Sequence, residues 1–206
     1  MIFNYNIKLI YISSMQVYSD YGKNHISTNS KINKKNLYSI SHYKSEKIII
    51  KKFLKHKKMF TILRMGNVFG FRKYNHPKEI DDNLLHSLCD TALKKKKILI
   101  KNGSIQRTFI PSKIFVNLIN TIIRENFFFN SLYNISYKTL NLKEIAEIIK
   151  KRLSLIFNIQ IDIIVREFYL KKNFLIRANN KLKFSVSNQK INLEIDQILK
   201  ILKKLI

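Results

Sequence analysis

Two short apolar runs frame this chain: Ile7-Lys8-Leu9-Ile10-Tyr11-Ile12, which stops at Ser13 and Ser14, and Phe60-Thr61-Ile62-Leu63-Arg64-Met65, which leads into Gly66. Both are short and mostly apolar, the pattern of a strand buried on both faces in a parallel sheet. Between them, residues 37–58 carry Ile48, Ile49, Ile50, Phe53 and Leu54 in a stretch long enough for a helix. Strand, helix, strand is a parallel crossover unit, so the expectation is an α/β fold. In open sheets of that kind ligands bind outside the carboxyl ends of the strands, and Ser13 and Ser14 stand there. Residues 19–36 are polar and aperiodic and predict a long loop, of the kind that is functional or mobile.

The helix opens with Ser41-His42-Tyr43-Lys44-Ser45-Glu46-Lys47. Residues four apart share a helix face, so Tyr43 and Lys47 would stand one turn from each other. An ammonium held near a phenol favours the phenolate, and a nearby serine hydroxyl could hold a substrate oxygen while the tyrosine moves a proton. With 10 tyrosines and abundant lysine the spacing carries little weight alone.

The wider context carries more. Ser13-Ser14-Met15-Gln16-Val17-Tyr18, followed by a loop and Tyr43-x-x-x-Lys47, resembles the short-chain dehydrogenase/reductase superfamily, in particular its extended branch of NAD-dependent sugar epimerases and dehydratases. Leu63-Arg64-Met65-Gly66-Asn67-Val68-Phe69-Gly70 is similar to that family's segment following the next strand, and Gly103-Ser104-Ile105-Gln106-Arg107-Thr108-Phe109-Ile110 to its Gly-x-x-x-Arg-Asp-Phe segment, with Thr108 in place of the aspartate. The resemblance implies Ser14, Tyr43 and Lys47 as catalytic residues, with Tyr43 and Lys47 also facing the ribose of NAD or NADP. It implies Asn67 and Arg107 as substrate-binding residues, Arg107 on the diphosphate of a nucleotide sugar, a role suited to a guanidinium fork. It further implies a Rossmann-like, doubly wound parallel sheet, entered near its fifth strand, together with a small α/β substrate-binding subdomain. On that reading residues 1–70 form the partial Rossmann-like domain and residues 71–206 the substrate-binding region. The family's sugar 4,6-dehydratases carry an Asp-Glu pair where this chain has Met15 and Gln16; neither can act as a general acid or base, so dehydration of that type is disfavoured.

Further elements follow from the pattern. Residues 79–93 predict a helix with Ile80, Leu84, Leu85, Leu88 and Ala92 on one stripe, 98–101 a strand, and Asn102-Gly103 a turn. Ser112 begins a helix reaching about residue 124, Leu132-Tyr133-Asn134-Ile135-Ser136 is a strand, and Asn141-x-x-Glu144 opens a helix with a capping box. Residues 159–165 read as a strand. Residues 177–182 and 193–199 are similar to the family's C-terminal element.

The sequence holds four glycines, Gly22, Gly66, Gly70 and Gly103, and they form no Gly-x-x-Gly-x-x-Gly or Gly-x-Gly-x-x-Gly array. The turn that would hold a dinucleotide pyrophosphate at a helix N-terminus is therefore missing. The expectation is a chain that lacks the family's first strand-helix units: truncated or split, inert by itself or complemented by a separate polypeptide carrying the Gly-rich half. A non-catalytic remnant or binding module of the same fold is the alternative. A homodimer is compatible with either.

The net charge of +26 raises nucleic-acid binding. The excess is mostly lysine spread along the chain, without the arginine forks and interleaved aromatics of a phosphate-reading patch, so that reading is disfavoured. One cysteine, Cys89, excludes an intrachain disulfide and a cysteine metal site, and the five histidines lack ligand spacing, so no metal is expected and a reducing cytoplasm is the default compartment. No apolar stretch approaches the ~18 residues of a membrane helix.

Overall fold

The computed structural model describes residues 5–19, 26–70, 84–103, 105–166 and 188–204. Its elements are β1 (Lys8–Ser14), a single 3-10 turn (Met15–Val17), α1 (Leu37–Lys55), β2 (Met59–Met65), β3 (Asn67–Phe69), α2 (Leu84–Lys95), β4 (Lys97–Ile100), β5 (Gln106–Pro111), α3 (Ser112–Arg124), β6 (Ser131–Ile135), β7 (Lys138–Asn141), α4 (Leu142–Phe157), β8 (Asp162–Val165) and α5 (Asn188–Lys204). The expected helical residues 79–83 and the segment 177–182 lie outside the described residues, as do His25 and His76.

The chain divides into two units. The first contains β1, α1, β2, the larger part of α3 and β6. Its sheet runs β1-β2-β6, all parallel, with Lys8 opposite Met59, Ser14 opposite Met65, and Met65 opposite Ile135. The crossover expected from the two apolar runs is thus present, with α1 as its helix. Phe53 of α1 packs with Phe60 and Ile62 of β2, bordered by Leu9, Tyr11, Ile50 and Leu132. The Phe53 and Phe60 rings meet edge to face at 6.1 Å, a favoured aromatic geometry. Asn36 starts α1 by accepting the Tyr38 N–H at 2.9 Å.

The stretch expected to be loop is partly folded. Tyr18 bridges Ile32 in antiparallel fashion, and Asn33 N–H donates to the Val17 carbonyl at 2.7 Å. Met15, Val17, Tyr18 and Ile26 form a small buried cluster on which Ile32 packs. Two isoleucines in an otherwise polar run suffice to fasten it, since burying each contributes roughly 1.5–3 kcal/mol.

The second unit contains β3, α2, β4, β5, β7, α4, β8 and α5. One sheet orders β3-β5-β7, with β3 parallel and β7 antiparallel to β5; another pairs β4 with β8 in parallel. The expected capping box of α4 is formed: Glu144 N–H donates to Asn141 Oδ1 at 2.8 Å, and Asn141 N–H to Glu144 Oε2 at 2.7 Å. Gly70 has a positive φ of 154°, and a Cβ there would overlap Ser112 Oγ and lie 2.7 Å from Glu194 Oε2, so the turn after β3 admits no side chain.

Cys89 is fully buried in α2, alongside Leu85, Ala92 and Leu93. Burial, and secondarily the Asp90 charge, push its thiol well above the usual range. A raised pKa in the folded state means that the associated stability is complete below the unfolded thiol's value, about 8.5, and is lost as pH rises above it. Tyr18 adds to the loss above about pH 10, because burial raises its pKa despite the opposing Arg64 charge, the hydrogen bond it accepts from Arg64 and the one it donates to Asn134. Urea unfolding as a function of pH should show stability constant to about pH 8 and declining beyond. Cys89→Val should remove the earlier part of the decline; an unchanged profile in that variant would exclude the thiol as its source.

Candidate active site

Ser14, Tyr43 and Lys47 all fall in the first unit. Ser14 ends β1, buried, and its Oγ accepts the Gln16 N–H at 3.1 Å, starting the 3-10 turn. Tyr43 is half-buried and Lys47 exposed on α1, with Lys47 Nζ 5.5 Å from the centre of the Tyr43 ring. The one-turn spacing therefore places a cation over the phenol ring, as the sequence predicts. Among the described residues no hydrogen bond links Ser14, Tyr43 and Lys47 to one another.

What fixes their relation is a second set of contacts between α1 and the end of β1. Ser39, fully buried, donates through Oγ to the Gln16 carbonyl at 2.7 Å. Two turns later Glu46 accepts Ser13 Oγ–H at 2.6 Å. Ser14 is thus held between two tethered neighbours, Ser13 and Gln16. Tyr43 is held between two tethering residues on the same helical stripe, at spacings of four and three.

Glu46 is itself anchored. Its carboxylate takes a bidentate fork from Arg64 of β2, Nε to Oε1 at 2.9 Å and Nη2 to Oε2 at 2.6 Å, with both side chains almost fully buried. Arg64 Nη1 donates to the Tyr18 hydroxyl at 2.7 Å and to the Thr28 carbonyl at 3.2 Å, and the Tyr18 hydroxyl donates to Asn134 Oδ1 at 2.6 Å. The guanidinium also stacks 4.7 Å from the centre of the Tyr18 ring. Burial works against the charge on Arg64, but the Glu46 and Tyr18 contacts outweigh it and raise its pKa. The Asn134 amide nitrogen is buried with no partner among the described residues.

This network is the part of the site that sequence reasoning missed. A signal was present: Glu46 falls on the stripe shared by Ser39, Tyr43 and Phe53, and Arg64 interrupts an apolar strand. Charges at two core positions imply that they meet, because an unpaired buried charge is very costly.

Asn67 and Arg107 fall in the second unit, on adjacent strands. Asn67 is paired with Phe109 in the β3-β5 register, and its Nδ2 donates to the Thr108 carbonyl at 3.0 Å. Arg107 is half-buried and donates from Nη1 to the neighbouring Gln106 carbonyl at 3.0 Å. Thr108, which replaces the family's aspartate, is fully buried. Ser14, Tyr43 and Lys47 thus fall in one unit and Asn67 and Arg107 in the other.

His42 Nδ1 lies 3.2 Å from the Tyr11 hydroxyl, and His86 Nε2 lies 3.0 Å from the Gly70 carbonyl oxygen. Among the described residues no three potential ligands gather to hold a metal, and no helix is long and apolar enough to cross a membrane.

A dinucleotide needs a cradle for its pyrophosphate. None of the four glycines belongs to a Gly-rich turn, and the described residues contain no strand-turn-helix unit of that kind. These residues do not make up a dinucleotide site.

Solved structures with the same fold include nucleotide-sugar enzymes. The UDP-N-acetylglucosamine 4-epimerase from Methanobrevibacter ruminantium M1, in complex with UDP-N-acetylmuramic acid, is 20% identical with a TM-score of 0.75, covering 99% of this chain and 66% of its own. RMD from Pseudomonas aeruginosa, complexed with NADPH, is 15% identical with a TM-score of 0.72, covering 98% and 67%. The dTDP-glucose 4,6-dehydratase from Bacillus anthracis str. Ames, in complex with NAD, is 16% identical with a TM-score of 0.66, covering 96% and 62%. This chain therefore spans about two thirds of the length of those proteins. No curated protein matches the sequence significantly. The family model for NAD dependent epimerases and dehydratases matches residues 1–136, which include Ser14, Tyr43, Lys47, Asn67 and Arg107, and the chain belongs to the NAD dependent epimerase/dehydratase family.

Proposed function

We propose that this chain carries the proton-transfer and substrate-binding residues of a nucleotide-sugar epimerase or reductase acting at a sugar carbinol. The observation that carries the reading is the double tether, Ser39 to Gln16 and Glu46 to Ser13, which holds Ser14 against the helix that bears Tyr43 and Lys47. In this reading Ser14 binds the reacting oxygen, and Tyr43 gives or takes the proton at that oxygen. Lys47 favours the phenolate through its charge. Asn67 and Arg107 hold the nucleotide sugar, Arg107 at the diphosphate. Met15 is fully buried and Gln16 has no ionisable group, which argues against the elimination chemistry of the dehydratases.

In the family a nicotinamide cofactor, NAD or NADP, exchanges a hydride with the sugar carbinol. Since the residues of this chain do not form its pyrophosphate site, we assign it no binding geometry here. A Gly-rich segment outside these residues, in the same or a separate chain, would complete such an enzyme. A second reading is a binding module that retains the fold and the nucleotide sugar without turnover.

Both readings require nucleotide-sugar binding, and Arg107 is the residue to test. Arg107→Met should weaken binding of a uridine diphosphate sugar about tenfold in calorimetric titration, the loss expected for one charge-assisted fork. Equal affinity in the two proteins would remove Arg107 from the substrate site.

A further inference from the structure

Glu194, Gln197 and Ile201 recur along α5 at spacings of three and four, so they share one face of the helix, and Lys200 borders it. Within the second unit that face and the first two residues of α3, Ser112 and Lys113, line a cleft of about 440 Å³. Ser112 directly follows the paired ends of the parallel strands β3 and β5, Phe69 and Pro111. None of the lining residues takes part in the site described above.

Glu194 is 3% exposed, yet its carboxylate meets only the Ser112 hydroxyl among the described residues, which donates to Oε1 at 3.4 Å and Oε2 at 3.5 Å. Hydroxyl-to-carboxylate bonds are ordinarily well under 3.0 Å, so this contact is a weak one. Glu194 forms no ion pair among the described residues. Burying a carboxylate is costly unless it is paired and hydrogen-bonded, and the ionised group offers about four acceptor positions. The start of α3 favours the negative charge but leaves most of those positions unfilled. Lys113 and Lys200 are exposed, so the cleft carries its negative charge inside and its positive charges toward solvent. Two cations against one carboxylate leave one positive charge. The complement is a ligand with a buried ammonium, two outward carboxylates and a net charge of minus one, and a nucleotide, which has no cationic group for Glu194, does not match it. Clefts of this size with a few convergent polar groups are typical of small-ligand sites.

We propose that this cleft binds a free dicarboxylic amino acid, with its ammonium on Glu194, its two carboxylates on Lys113 and Lys200, and its methylene groups against Ile201. An ammonium brings three donors to the carboxylate that lacks them.

Isothermal titration of the full chain with L-glutamate and L-aspartate tests this. At least one of them should bind saturably at one site. The matching dicarboxylate without the ammonium, glutarate or succinate, and the matching amide without the second carboxylate, glutamine or asparagine, should each bind about tenfold more weakly. Glu194→Gln should weaken the amino acid about tenfold and leave the plain dicarboxylate no weaker, because it removes the group that reads the ammonium and nothing that reads a carboxylate. Lys113→Gln/Lys200→Gln alters exposed side chains and leaves the buried carboxylate in place; it should weaken the amino acid and the plain dicarboxylate alike, about tenfold. Lys97→Gln, at an exposed residue of β4, should change nothing, which separates the cleft from the general positive charge. Absence of saturable binding of both amino acids, equal affinity for the dicarboxylate or the amide, or an equal loss in Lys97→Gln would overturn the proposal.

Discussion

Arg64→Met is expected to lower the unfolding free energy by about 3–5 kcal/mol, the usual consequence of leaving one member of a buried ion pair without the other. The residue left behind is Glu46, whose carboxylate would keep only the Ser13 hydroxyl, at a position 1% exposed. Tyr18 would lose its donor at the same time, and with it the stacked guanidinium. In a chain of this size the change corresponds to a fall in Tm on the order of 10 °C. Glu46→Gln should cost a similar amount by isolating Arg64. Removing both charges, Arg64→Met/Glu46→Leu, should recover a large part of the loss, because apolar side chains of similar volume replace a buried pair at little cost. Additive losses in urea unfolding would show that the two side chains do not act as a pair.

Tyr43→Phe is expected to reduce turnover by about 10²–10⁴-fold, the range that a positioned general acid or base contributes. Tyr43 is half-buried on α1 and makes no hydrogen bond to Ser14 or Lys47 among the described residues, so the unfolding curve should be unchanged. The contrast with Arg64→Met is the informative feature. One substitution should remove turnover and leave the fold, while the other should weaken the fold through α1. Lys47→Met should fall between wild type and Tyr43→Phe, since it takes away a supporting charge and leaves the proton carrier. Turnover is to be followed with NAD and a uridine diphosphate sugar, with a Gly-rich dinucleotide-binding half supplied as a separate chain.

Much of this was legible because the signals are strong in the residues themselves. The runs before Ser13 and Met65 are too apolar and too short for anything but buried strands, and the structure pairs them in parallel around α1. Asn141 and Glu144 announced a helix start that the structure closes with two hydrogen bonds. The strands β3 and β7, with three and four residues, were not separable from loop. Pairing with β5 makes them strands, and no local pattern shows that. Ile26 and Ile32 were lost in a polar stretch for the same reason: their value lies in contacts with Met15, Val17 and Tyr18. At the candidate site, the resemblance to the family pointed to Ser14, Tyr43 and Lys47, while the Glu46–Arg64 pair beside them depends on a contact across 18 residues.

The most direct test of the central claim is formation of reduced nicotinamide on mixing wild-type protein and a supplied Gly-rich dinucleotide-binding half with NAD and a uridine diphosphate sugar, compared with Tyr43→Phe under the same conditions. The account predicts a reduced-cofactor absorbance in the wild type that is slowed at least ~100-fold in the variant. Equal rates in the two proteins would contradict it.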